Sequence, residues 1–157
     1  VNPSDCDTIT ICLMDAGTYA EVECIDAVLD INGQATVNVS VAGSYYIKLA
    51  HRNALQTWSA MPISISGPTA YDFSSSATQA YGANMVEVES GVWALWSGDV
   101  NQDELIEATD YSSIENGVVN FTFGYFATDL TGDALVEASD YSLVENNVQL
   151  FLFSAHP

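Results

Sequence analysis

The chain has 157 residues, 48% of them hydrophobic, enough for one full core or two small ones. Lys48 and Arg52 are set against 21 acidic residues, a formal charge of -19, so nucleic-acid phosphates and anionic membrane surfaces are repelled and DNA or RNA binding is excluded. No apolar run approaches the roughly 20 residues of a membrane-spanning helix.

The sequence begins at Val1 with neither an initiator Met nor an apolar leader, so a processed chain or a fragment of a longer one is expected. Abundant Thr, Ser, Asn and Tyr with so little Lys favour an extracellular or cell-surface setting. Cys6, Cys12 and Cys24 all lie in the first quarter, and an odd count leaves at least one free or joined to another chain. In "CDTITICLMD" Ile9, Ile11 and Leu13 share one face of a strand and Cys6 and Cys12 the other, separated by ~20 Å, too far for one bridge. Cys24 falls on the apolar side of its own strand, which argues against a cross-strand bridge to Cys12 and favours a buried thiol.

Residues 1–66 read with period two. In "QATVNVSV" Ala35, Val37, Val39 and Val41 alternate with polar neighbours, and in "SYYIKLA" Tyr45, Ile47 and Leu49 do the same. Asn32-Gly33 is a hairpin signal, because both residues tolerate the positive φ of a tight turn. "DAGTY" and "VAGSY" add further turns, and five to seven short strands with this spacing predict a β-sandwich. The order of these pieces resembles the CnaB or transthyretin-like sandwiches of bacterial surface proteins, which implies a spacer. Isopeptide-forming members of that group need a core Lys, whereas Lys48 alternates to the polar face.

His51 and Arg52 lack a nearby Ser or Cys motif, so a structural role is expected, with Arg52 paired to a carboxylate and Trp58 in the core. Residues 67–90, rich in Ser, Ala, Gly and Thr, read as a connecting segment with room for one helical turn, leaving 91–157 as a second domain.

Shifting the sequence by 30 residues aligns "DVNQDELIEATDYSSIENGVVNFTF" with "DLTGDALVEASDYSLVENNVQLFLF", with thirteen identities from Asp99/Asp129 to Phe123/Phe153. The second domain is therefore a duplication. In each copy oxygen-bearing side chains stand at positions 1, 3, 5, 9 and 12, and position 7 is a Leu free to offer its carbonyl. The sets are Asp99, Asn101, Asp103, Leu105, Glu107 and Asp110 in loop 99–110, and Asp129, Thr131, Asp133, Leu135, Glu137 and Asp140 in loop 129–140. That is the ligand spacing of a twelve-residue calcium loop, which must present six to eight oxygens at about 2.3–2.6 Å. Two carboxylates ~5 Å apart repel by ~3 kcal/mol at an effective dielectric of 20. Each loop gathers four without a Lys or Arg in either repeat, so a cation is expected to compensate, and two Ca²⁺ sites are predicted. Mg²⁺ demands a tighter octahedron. Glu104 and Ala134 stand where such loops normally place Gly at positive φ, at a cost of ~1–2 kcal/mol each. Thr131, replacing Asp or Asn at position 3, is expected to weaken the second site.

Helical spacing follows each loop, with Ala108, Tyr111, Ile114 and Val118 in the first copy and Ala138, Tyr141, Val144 and Val148 in the second. "GVWALWSG" ahead of the first loop is strand-like, which excludes an ordinary EF-hand pair. A loop followed by one helix, present twice, with Asp at position 12, resembles the type I dockerin repeat, and the family's calcium ligands fall on the same twelve positions. The longer pattern, "YYIKLAHRNALQTWSAMPISISG" through "AYDF", "ATQAYG" and "SGDVNQD", is similar to the C-terminal region of large exported proteins from Bacteroidetes.

The fold expected is mainly β with a small α part, a sandwich followed by a dockerin-like pair of loop-helix units. The acidic residues are committed to the loops, and no nucleophile elbow, zinc motif or phosphate loop is present, so no enzyme is expected. The first reading is a non-catalytic, calcium-binding structural module that self-associates into a surface or fibre assembly. Phe121, Phe123, Phe151 and Phe153 then either add edges to a neighbour's sheet or complete the chain's own core. The alternative is a docking module that attaches an enzyme or adhesin to a receptor or scaffold. Trp58, Trp93 and Trp96 lie in apolar contexts, which argues against a glycan site. "NVS" at 38 and "NFT" at 120 match a eukaryotic glycosylation sequon, and "DTI" places an O-linked sugar candidate on Thr8.

Overall fold

A computed structural model describes residues 5–157. Over the described residues the chain is mainly β with a small α part, seven strands in two antiparallel sheets and two α-helices, as expected for the sandwich-plus-helices class. It divides into two compact units. Of the described residues, the first comprises 5–51, 56–94 and 155–157, and the second 52–55 and 95–154.

In the first unit β1 (Asp5–Asp15) is a central strand, bonded to β2 (Glu21–Asp30) on one side and β3 (Gly43–His51) on the other. β4 (Ala54–Trp58) and β5 (Ile63–Ile65) both lie beyond β3. Ile9, Cys12, Leu13 and Met14 of β1 are all buried, and Cys12 and Met14, on one face, pack with Trp58, Tyr46 and Tyr81. The β1–β2 turn closes through Asp15, whose carboxylate accepts the Gly17 and Thr18 amides and the Thr18 hydroxyl. These bonds, the Thr18 amide foremost, hold its carboxyl below the usual carboxylate range. Trp58 is buried, as expected, against Tyr46 and His156, at ring separations of 6.1 and 5.6 Å. His51 takes the structural role expected, its Nε2 2.9 Å from Asp7. Lys48 sits 3.6 Å from Glu21.

Three expectations are corrected. Cys12 and Cys24 do pair, because β1 and β2 run in a register that sets them directly opposite, with Cα atoms 4.1 Å apart. Strand parity within each segment carries no information on that register, so the buried thiol at Cys24 is replaced by a disulfide, and Cys6 is free and exposed. The segment around Ala35–Val41 is not a strand. Gly33 at φ 73 makes the turn, the Asp30 carboxylate accepts the Asn32 and Gln34 amides, and the chain then leaves the sheet, with Ser40 N donating to the Glu23 carboxylate. Ala35, Val37, Val39 and Val41 are still half-buried and Thr36, Asn38 and Ser40 exposed, so the alternation marks a face without a ladder. Residues 67–90 lie within the first unit, with 3₁₀ turns at Ala77–Gln79 and Tyr81–Ala83 and a hairpin of β6 (Val86–Glu89) and β7 (Val92–Ala94).

The second unit contains α1 (Ala108–Val119) and α2 (Ala138–Val148). Its core is Leu55, Ile106, Ile114, Val136 and Val144, each almost fully buried, with Trp96, Tyr111 and Tyr141 packed on it. Tyr111 and Tyr141 occupy matching repeat positions and their rings meet at 4.9 Å. Among the described residues, no helix is long and apolar enough to cross a membrane.

Candidate metal centre

The two loops fold alike at most positions, differing in the second amide that the position-1 carboxylate accepts. At position 1, Asp99 accepts the Asp103 and Glu104 amides, both at 3.2 Å, and Asp129 accepts those of Gly132 and Ala134 at 2.8 and 2.9 Å. At position 12, Asp110 accepts the amides of Val100, Asn101 and Glu107 at 2.9, 3.3 and 2.9 Å. Asp140 does the same for Leu130, Thr131 and Glu137, at 2.8, 2.9 and 2.8 Å. Each position-12 carboxylate thus ties the start of its loop to the first turn of the helix that follows, where a negative charge also suits the helix dipole. Asp99, Asp110, Asp129 and Asp140 are all buried.

Positions 3, 5 and 9 remain open to solvent. Asn101, Asp103, Thr131 and Asp133 are exposed, Asp103 and Asp133 accept the amides of Leu105 and Leu135, and Glu107 and Glu137 accept the hydroxyls of Thr109 and Ser139. At position 7 each Leu sits in an isolated antiparallel bridge, Leu105 with Phe153 and Leu135 with Phe123. The bonds of the first bridge run from Ile106 N to Leu152 O and from Ser154 N to Glu104 O. Those of the second run from Val136 N to Thr122 O and from Gly124 N to Ala134 O. The main-chain groups of Leu105 and Leu135 therefore face away from the bridge.

The backbone carries the strain read from the sequence. Glu104 and Ala134 at position 6 have φ of 73 and 68, and position 4 is also left-handed, at 60 in Gln102 and 75 in Gly132. Gln102 tolerates this while its side-chain amide donates to Asp99 O at 2.6 Å. Burial, and after it the Asp110 charge, pushes the Asp99 carboxyl up to about 6.

The donor set is entirely oxygen, with four carboxylates per loop, which fits a hard divalent cation. Among the described residues, no three acidic side chains of either loop bring ligand oxygens within 4.8 Å of one another; only Cys12, Glu21 and Cys24 converge so closely, and two of these are joined as a disulfide. Mutual repulsion of like charges opposes any tighter gathering of the loop carboxylates.

No family model matches the chain, and no curated protein does. Among the solved structures that match are two mutants of a type II cohesin–X–dockerin complex from Acetivibrio cellulolyticus, one altered at its C-terminal and the other at its N-terminal interface. Each is 21% identical, with a TM-score of 0.49, over 88% of this chain and 79% of its own.

The four phenylalanines do not complete the core. Phe121 and Phe151 are 82% and 84% exposed, at φ of 51 and 52, and Phe123 and Phe153 are exposed as well. Nor do they form strands beyond the isolated bridges. Sequence reasoning also missed the loop partners that come from residues 52–55. Arg52 donates to the main-chain carbonyls of Phe126 and Asp129, the latter at 2.7 Å, and lies 4.6 Å over the Tyr125 ring. Asn53 Nδ2 donates to Asp129 O at 3.1 Å. No local pattern signals these contacts, since each joins residues more than seventy positions apart.

Proposed function

We propose that the protein is a non-catalytic, calcium-binding extracellular module that docks to a protein partner. The matched geometry of the two loops carries this reading: in both copies the position-12 carboxylate accepts the amides of positions 2, 3 and 9, the position-1 carboxylate accepts that of position 6, and the strained φ at position 6 is retained. Asp99, Asn101, Asp103, the Leu105 carbonyl, Glu107 and Asp110 would hold one ion, and Asp129, Thr131, Asp133, the Leu135 carbonyl, Glu137 and Asp140 the other. Calcium supplies positive charge that relieves carboxylate repulsion and stiffens each loop against its helix. The Cys12–Cys24 disulfide supports an oxidising, extracellular setting.

The exposed phenylalanines support a protein contact, and the charge of -19 opposes close approach of two copies, which favours an unlike partner. Calorimetric titration of metal-stripped protein with calcium should give heat from two sites together with a rise in melting temperature. No heat and no rise would overturn the calcium reading. Self-assembly is the second reading, favoured by the free, exposed Cys6 and the same phenylalanines. Electron microscopy with calcium and then with a chelator separates the two: filaments that disperse on chelation support assembly, and single particles in both conditions support docking.

A further inference from the structure

Asn53 is 4% exposed and touches the start of both loops. Its main-chain carbonyl accepts the Gly98 amide at 2.7 Å, immediately ahead of Asp99. Its side-chain Nδ2 donates to the main-chain carbonyl of Asp129 at 3.1 Å. One residue thus braces the start of each loop, through its backbone at Gly98, just ahead of position 1, and through its side chain at position 1 itself, Asp129. Its neighbours act on one loop each. Ala54 O accepts from Gln102 Nε2 of the first loop at 3.4 Å, and Arg52 donates to Asp129 O of the second.

Asp99 and Asp129 are buried and accept their own loops' amides, so a shift of the main chain at either residue moves a carboxylate that the loop is folded around. We propose that Asn53 is a positioning residue that couples the two loops, so that filling one raises the affinity of the other through residue 53. This rests on reading the loops as calcium sites. A second route exists in the crosswise bridges Leu105–Phe153 and Phe123–Leu135, and the two routes are separable. Asn53→Ala removes the bond to Asp129 and leaves the carbonyl bond to Gly98 and both bridges in place.

The test uses the full chain, stripped of metal and titrated with calcium chloride. The amide resonance of Gly132, which donates to Asp129 Oδ1, reports the second loop. Asp103→Ala, at an exposed side chain, disables the first loop. Coupling between sites is typically about 5- to 150-fold, so Asp103→Ala should weaken calcium at the second loop at least ~5-fold in the native background. In the Asn53→Ala background it should leave that affinity unchanged. Asn53→Leu, which is close in volume and has neither donor nor charge, should behave like Asn53→Ala and serves if that variant does not fold. Arg52→Gln should weaken the second loop yet preserve its response to Asp103→Ala, which a general loosening of the fold would not do. Equal weakening in the native and Asn53→Ala backgrounds overturns the proposal and assigns the coupling to the bridges. No weakening in the native background overturns it as well. An unsubstituted chain that takes up no calcium overturns the calcium reading, and this inference with it.

Discussion

Cys12 and Cys24 face each other across β1 and β2 and close a covalent loop around the Asp15 turn. The bond joins residues 12 positions apart, a short loop for which restricting the unfolded chain contributes up to about 3 kcal/mol. The double variant Cys12→Ser, Cys24→Ser should lose stability of that order in urea unfolding. On the proposed calcium reading, metal uptake by this variant should be unchanged, since both cysteines lie in the first unit. A loss of calcium binding would contradict the independence of that unit's disulfide from the loops.

Ala134 and Glu104 hold left-handed backbone that glycine adopts without penalty. Ala134→Gly and Glu104→Gly should each stabilise the protein by about 1 kcal/mol, read as a higher urea midpoint at constant m value. A lower midpoint in both would show that these φ values are not those of the folded protein.

Gly117 in α1 stands where α2 has Asn147, one of the positions at which the repeats differ. A Cβ there would lie 2.7 Å from Val136 Cγ1, so Gly117→Ala should cost about 1–3 kcal/mol by overpacking, although alanine is the better helix former. Asn147 instead donates to Ser97 O at 2.8 Å, and Asn147→Ala should lose about 1 kcal/mol with that bond. Equal stability of wild type and Gly117→Ala in thermal melts would refute the close approach.

The Asp99 carboxyl, pushed up to about 6 by burial and then by Asp110, gives the metal-free protein a definite pH response. Between pH ~4 and ~6 the folded state keeps a proton that the unfolded chain has released, so stability falls as pH rises through this window. Asp15, Asp30 and Asp72 are shifted the other way, and their contribution is lost only as pH falls below the ordinary carboxylate value. Melting temperature measured at closely spaced pH values should decline across the window, and Asp99→Asn should flatten the decline. A rise in wild type would contradict the shift.

Much of the second unit was legible because duplication prints the same pattern twice. Oxygen spacing located the loops, and helical spacing placed Ile114 and Val144, both now fully buried. Pairing partners were not legible. The register that joins Cys12 to Cys24, the departure of Ala35–Val41 from the sheet and the reach of Asn53 to Asp129 are all settled by contacts between distant parts of the chain, which no local periodicity encodes. The phenylalanines misled for a related reason: their strand-like alternation is cut by positive φ at Phe121 and Phe151.

The loop bridges are exchanged between repeats: residues 104–106 bond to 152–154, and residues 134–136 to 122–124. Neither half satisfies itself. A peptide holding one copy would find the missing edge only on a twin, so the ancestor that was duplicated is most simply pictured as a symmetric pair of identical chains, later fused into one.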